Sequence, residues 1–95
     1  MRLSADVLCR IETRREGGRL IVHVAGRLVE AHVPDFLEAC AQAADPPIIE
    51  LDELISADAI GMDTLLRLER RGAQLISLPE YLRLKLENHV REWKP

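Results

Sequence analysis

Apolar positions along this 95-residue chain follow two different rhythms. From Val7 to Arg15 they alternate, with Val7, Cys9 and Ile11 separated by Leu8, Arg10 and Glu12, and a period of two is that of a β-strand. Glu16-Gly17-Gly18 follows, and glycine reaches positive φ without steric cost, so a tight turn is expected there. Arg19 to Ala25, RLIVHVA, is rich in β-branched residues and almost wholly apolar, as in a strand central in its sheet or covered on both faces. With its predecessor it predicts a hairpin. Gly26 reads as a bulge or turn, after which Arg27-Leu28-Val29 extends the pairing.

From Val33 the rhythm changes to that of a helix. Val33, Phe36, Leu37, Cys40, Ala41 and Ala44 form one helical stripe, starting near Pro34 and ending before Pro46-Pro47. Ile48 to Leu51 predicts a short strand and Asp52 to Ser56 a loop. Ile60 to Arg71 predicts a helix with Met62, Leu65, Leu66 and Leu68 facing inward, Arg67, Arg70 and Arg71 in water, and Gly72 closing it. Ala73 to Leu78 reads as a further strand. Beyond Pro79 the signals conflict: Tyr81 to Glu87 alternates like a strand, yet Leu82, Leu86 and Val90 recur at helical spacing. Pro79-Glu80 is a helix-start signal, and the residues are strong helix formers, so a helix is expected.

The order is therefore β-β-α-β-α-β-α. Strands joined through helices run mostly parallel, with right-handed crossovers. The fold class is α/β: a mixed, mostly parallel sheet carrying its helices mainly on one side, with the opening hairpin at an edge or flank. A chain of this length holds one core, so a single domain over residues 1–95 is expected.

Composition narrows the function classes. Apolar residues make up 47% and charged residues 31%, with no run near the roughly 20 apolar residues of a membrane span, which predicts a soluble domain not inserted in a membrane. The N-terminal MRLSADVLCRIETRREGG lacks a continuous apolar segment followed by a small-residue cleavage site, so the cytoplasm is the expected compartment. A net charge of −3 in mixed signs, and only Phe36, Tyr81 and Trp93 as aromatics, argue against nucleic acid as a partner. Cys9 and Cys40 each sit in an apolar pattern and read as buried free thiols, poorly suited to act as nucleophiles. His23, His32 and His89 show no metal-ligand spacing, and no glycine-rich phosphate cradle is present, so neither metal nor cofactor is expected.

The segment ISADAIGMDTLLRLERRG, residues 55–72, holds the remaining chemistry. Ser56 and Asp58 are placed to accept hydrogen bonds from the first N–H groups of the following helix, a capping role contributing about 1 kcal/mol, and Asp63 suits the positive end of the helix dipole. Ile60 and Met62 are expected exposed at that helix start, where isolated apolar groups suggest a partner.

The strand-loop-helix PPIIELDELISADAIGMDTLLRLERRGAQLISL resembles the core of STAS domains, the fold of bacterial anti-sigma-factor antagonists. RLIVHVAGRLVEAHVPDFLEAC is similar to the family's second strand, its corner at Gly26-Arg27-Leu28 and its first helix, and YLRLKLE to its last helix, so the likeness spans residues 7–90. The resemblance implies a regulatory protein-binding module that is not an enzyme. Its partner would be an anti-sigma-like kinase, a sensor or a transporter ATPase, and its docking surface would comprise Asp58, Ala59, Ile60, Gly61, Met62 and Leu28, Val29 and Ala31. Regulatory members carry Asp-Ser-Ser-Gly at the start of the second helix, with a phosphorylated serine. Here those positions are Asp58, Ala59, Ile60 and Gly61, both hydroxyls are gone, and the module is expected to be phosphorylation-independent unless Ser56 or Thr64 accepts phosphate in a shifted register. The alternative is a STAS module binding a small molecule, lipid or nucleotide, or serving an ABC-type lipid transport system. The oligomeric state is left open, a dimer included.

Overall fold

Gly17 and Gly18, at φ 58° and 83°, close the predicted hairpin. It pairs β1 (Cys9–Glu16) with β2 (Arg19–Leu28) antiparallel, from Cys9 opposite Gly26 to Glu16 opposite Arg19. The computed structural model describes residues 9–92, so Val7 and Leu8 at the expected strand start, and Trp93, lie outside the described residues. After β2 come a 3-10 turn (Glu30–His32), α1 (Val33–Cys40), β3 (Ile48–Glu50), β4 (Leu54–Ala57), α2 (Ala59–Arg70), β5 (Gln74–Ile76) and α3 (Glu80–Glu92).

The sheet order is β1-β2-β3-β5, with β4 also paired to β2. β3 and β4 lie in succession along the edge of β2 opposite β1: Ile21–His23 pairs in parallel with Ile48–Glu50, and Gly26–Leu28 with Leu54–Ala57. The register slips at Gly26, which sits at φ 90° and donates its N–H to the Glu53 carbonyl at 3.0 Å. The mixed, mostly parallel sheet is the one expected, and β4 is an addition to it. The stretch expected as the Asp52 to Ser56 loop turns into a strand at Leu54, because the distant end of β2 offers its free edge there and the core takes up the Leu54 side chain.

Alternation along β2 sorts the two sheet faces. Leu20, Val22, Val24 and Leu28 join Phe36, Ala39 and Cys40 of α1, Leu65 and Leu68 of α2 and Leu82 of α3 in one core, so the helices cover a single face. Burying these side chains supplies the main drive for folding, at roughly 1.5–3 kcal/mol for each large one. The other face carries Arg14, His23 and Glu50.

α1 stops at Cys40, short of the expected end before Pro46, because its last turn tightens and the chain turns back toward β3, packing Ala43 on the core. α3 resolves the conflict after Pro79 in favour of the helix, with Leu82 buried. No helix among the described residues is long and apolar enough to cross a membrane.

Candidate functional site

Parallel pairing of Arg27 and Leu28 with Ser56 and Ala57 brings together the two segments singled out in the sequence, which are about thirty residues apart. The Asp58 N–H donates to the Leu28 carbonyl at 3.1 Å, tying the end of β4 to the end of β2. Asp58 then takes extended geometry (φ −83°, ψ −177°) and caps α2. Its Oδ1 accepts from the Gly61 N–H at 2.7 Å, and its Oδ2 accepts from the Glu30 N–H at 3.0 Å. One carboxylate thus fastens the start of α2 and the 3-10 turn after β2. The capping role expected of Asp58 is present, and the link to Glu30 is an addition that sequence could not supply, since it depends on the β2–β4 register.

Gly61 has its own steric reason. A Cβ at that position would lie 2.3 Å from the Leu28 carbonyl oxygen, closer than any side chain tolerates, so the first turn of α2 rests directly on the backbone of β2.

The exposed part of this junction is smaller than expected. Ile60 is 42% exposed, Ala59 and Ala31 face solvent, and Val29 is half-buried. Met62, inward-facing on the helical stripe but expected exposed as part of the docking surface, is buried at 9%: it lies on the flank of α2 that meets Leu54 of β4 and Leu82 and Leu86 of α3. Leu28 is fully buried, because the β2 alternation turns it to the helix-covered face. Leu28, Gly61 and Met62 therefore support the surface from beneath.

The first turn of α2 bears no hydroxyl. Thr64 is buried, and its Oγ1 donates to the Ile60 carbonyl at 2.8 Å, so its hydroxyl is committed inside the helix. Ser56 is half-buried on β4. Both cysteines are buried free thiols, as expected. Burial pushes the Cys40 thiol up to about 11, and burial together with nearby Asp35 raises that of Cys9. At neutral pH both remain protonated and unreactive.

A STAS domain of an antisigma-factor antagonist from Rhodobacter sphaeroides shares this architecture with a TM-score of 0.53 and 23% sequence identity, over 78% of this chain and 99% of that one. The fold is that of a STAS domain. An uncharacterized protein with a SpoIIAA-like fold from Shewanella loihica matches with a TM-score of 0.43 and 18% identity, over 73% of this chain and 67% of that one. No family model and no curated protein matches the sequence.

On the open face of this STAS fold lies a second polar cluster that residue spacing did not reveal. His23 directs Nδ1 at Glu50 Oε1 (3.2 Å) and toward Asp52 Oδ1 (3.7 Å), and Nε2 at Glu53 Oε1 (2.9 Å). A neutral imidazole donates from one nitrogen only, so this arrangement favours the imidazolium and raises the His23 pKa, chiefly through the bond to Glu53. His23, Glu50 and Asp52 are the group of three ligand-type side chains, among the described residues, whose donor atoms lie within 4.8 Å of one another. Arg14 already holds Glu50 in a fork, at 3.0 and 2.7 Å, and with help from His23 lowers its carboxyl to about 2. The cluster is an ion-pair network bracing β1, β2, β3 and the turn into β4. Its partners come from strands that are neighbours only after folding, so no sequence motif marks it.

Proposed function

We propose that this domain is a non-catalytic protein-docking module of the anti-sigma-antagonist type, which engages its partner through the N-terminal end of α2 and does so without a phosphorylation switch. The observation that carries the reading is Ile60: an isoleucine 42% exposed at the tip of a junction otherwise held rigid by Asp58 and Gly61. An exposed aliphatic side chain on a preorganised backbone is a suitable anchor for a partner's pocket, because little freedom is lost on binding. In the pattern that the sequence resembles, this is the position of the phosphorylated serine; an aliphatic group there accepts no phosphate. The surface consists of Ile60 with Asp58, Ala59, Val29 and Ala31 around it.

The partner classes that suit this reading are an anti-sigma-like kinase, a sensor or a transporter ATPase. Affinity capture from the native host tests it, comparing wild type with Ile60→Glu. Loss of a defined partner on substitution, at unchanged thermal stability, is expected. Retention of every partner by the variant would overturn the docking site. Intact-mass measurement of protein from the same host should show no species heavier by one phosphate; such a species would remove the phosphorylation-independent part.

A further inference from the structure

An apolar groove leads away from Ile60 between α1 and α2. Val33 and Leu37 form one wall and Ile60 and Thr64 the other, with Leu68 at the base. It continues past Leu37 and Leu68 to the turn before β3. Leu37 is 43% exposed, which together with Ile60 makes two large aliphatic groups open to water along the same trough. From Ile60 to Arg71 the α2 wall is about 16 Å long at the rise of an α-helix, close to three turns. A trough of that length, open on its solvent side, has the shape for a helix rather than for a compact small molecule.

Its charges are one-sided along the α2 rim. Arg67 and Arg71, one helical turn apart and exposed, line the groove, and neither has an ion-pair partner among the described residues. Asp63 also lines it, but its Oδ1 is taken by His89 Nε2 at 2.6 Å. Asp45 lies at the far end, in the turn before β3. Two unpaired guanidiniums beside an apolar trough call for carboxylates spaced by one helical turn, which Arg binds in fork geometry.

We infer that the groove between α1 and α2 receives an amphipathic helix of the protein partner, its apolar stripe over Leu37 and Ile60 and its acidic flank against Arg67 and Arg71. This rests on the docking reading above and specifies the chemistry of that partner.

Two synthetic helical peptides of 14 residues test it, each with leucines at positions 1, 4, 8 and 11 on an alanine-rich background, one carrying glutamates at 5 and 9 and the other lysines at the same places. Each is titrated into the isotope-labelled full chain, with chemical shifts and peptide anisotropy as readouts. The glutamate peptide should bind at least tenfold tighter than the lysine peptide and should shift Leu37, Ile60, Arg67 and Arg71. Arg67→Glu with Arg71→Glu, substitutions at exposed positions, should reverse that preference while leaving the circular dichroism unchanged. Equal binding of the two peptides, binding of neither, or shifts confined elsewhere overturns the inference. So does sedimentation with phosphatidylglycerol vesicles that the charge reversal abolishes in the absence of a peptide preference, because the rim would then serve a membrane. The docking reading fails separately. If Ile60→Glu abolishes capture of the native partner while the charge reversal leaves it intact, the docking site stands and the acidic helix falls.

Discussion

Replacing Asp58 by asparagine and by alanine separates the two jobs of its carboxylate. Oδ1 holds the Gly61 N–H and Oδ2 the Glu30 N–H, at 2.7 and 3.0 Å. The helix cap is worth about 1 kcal/mol. The bond to Glu30 is worth about 0.5 kcal/mol, the low end of the usual range, because Glu30 is exposed and its N–H regains water when the bond is lost. The negative charge at the start of α2 adds about 0.3–0.5 kcal/mol. Asparagine keeps the cap but has one acceptor oxygen, so Asp58→Asn should cost about 1 kcal/mol, the sum of the second and third contributions. Asp58→Ala loses all three, about 2 kcal/mol. For a domain of this size each kcal/mol moves Tm by about 4–8 °C, giving drops of about 4–8 °C and 8–16 °C. Thermal unfolding by circular dichroism measures both, and amide exchange supplies the local check. In Asp58→Asn the Glu30 amide should exchange faster while the Gly61 amide stays protected; in Asp58→Ala both should. Equal Tm values for the two variants, or a shift below about 2 °C for alanine, would refute the double clamp.

Two further substitutions probe neighbouring features. Gly61→Ala puts a Cβ 2.3 Å from the Leu28 carbonyl oxygen, a backbone atom that cannot step aside, and should cost about 1–2 kcal/mol net of the helix preference of alanine; a Tm equal to or above wild type would count against the close packing of α2 on β2. Stability should also depend on pH through His23: its folded pKa is raised above the unfolded value of about 6.5, so its contribution is complete below that value and is lost as pH rises through the folded pKa. The Tm gap between wild type and His23→Gln should accordingly narrow between pH 6 and pH 9, and a gap that stays constant or widens would show that His23 is not held as imidazolium.

What could be read from the chain depended on how local each signal was. The hairpin was legible because Gly17-Gly18 and the flanking alternation are contiguous, and α2 because Met62, Leu65, Leu66 and Leu68 repeat at helical spacing and Asp58 stands where a cap belongs. β4 was not legible. Leu54–Ala57 is four residues long and follows Asp52-Glu53, which reads as a loop, and its partner is the end of β2, some thirty residues earlier. That β2–β4 register also hid the Glu30 contact of Asp58, and the parallel β2–β3 pairing hid the approach of Glu50 to His23 and Arg14. The helical stripe points Met62 inward, as found, and only its place on an exposed docking surface fails, for a related reason. Its flank of α2 is covered by Leu54 of β4 and by Leu82 and Leu86 of α3, which come together there only in the folded chain.

The way the site is built constrains how it can work. Asp58 spends both oxygens on backbone N–H groups, and Gly61 rests on the Leu28 carbonyl, so the 3-10 turn and the start of α2 are joined to the same strand end. A partner that pressed on one segment would therefore displace the other, and a flexible, induced fit at this junction would break at least one of these backbone contacts. On the proposed docking reading, rigid presentation leaves the exposed side chains to choose the partner. At the start of α2 Ile60 is the exposed large aliphatic group, and it shares a groove with Leu37 and with two arginines that have no ion-pair partner among the described residues. Affinity should then depend chiefly on how deeply Ile60 is buried, and selectivity on the sign of charge met by Arg67 and Arg71, because apolar burial is indifferent to partner charge and the guanidiniums are not. Substitutions at Ile60 should lower affinity for every partner by similar factors, whereas charge reversal at the two arginines should change which partner is preferred.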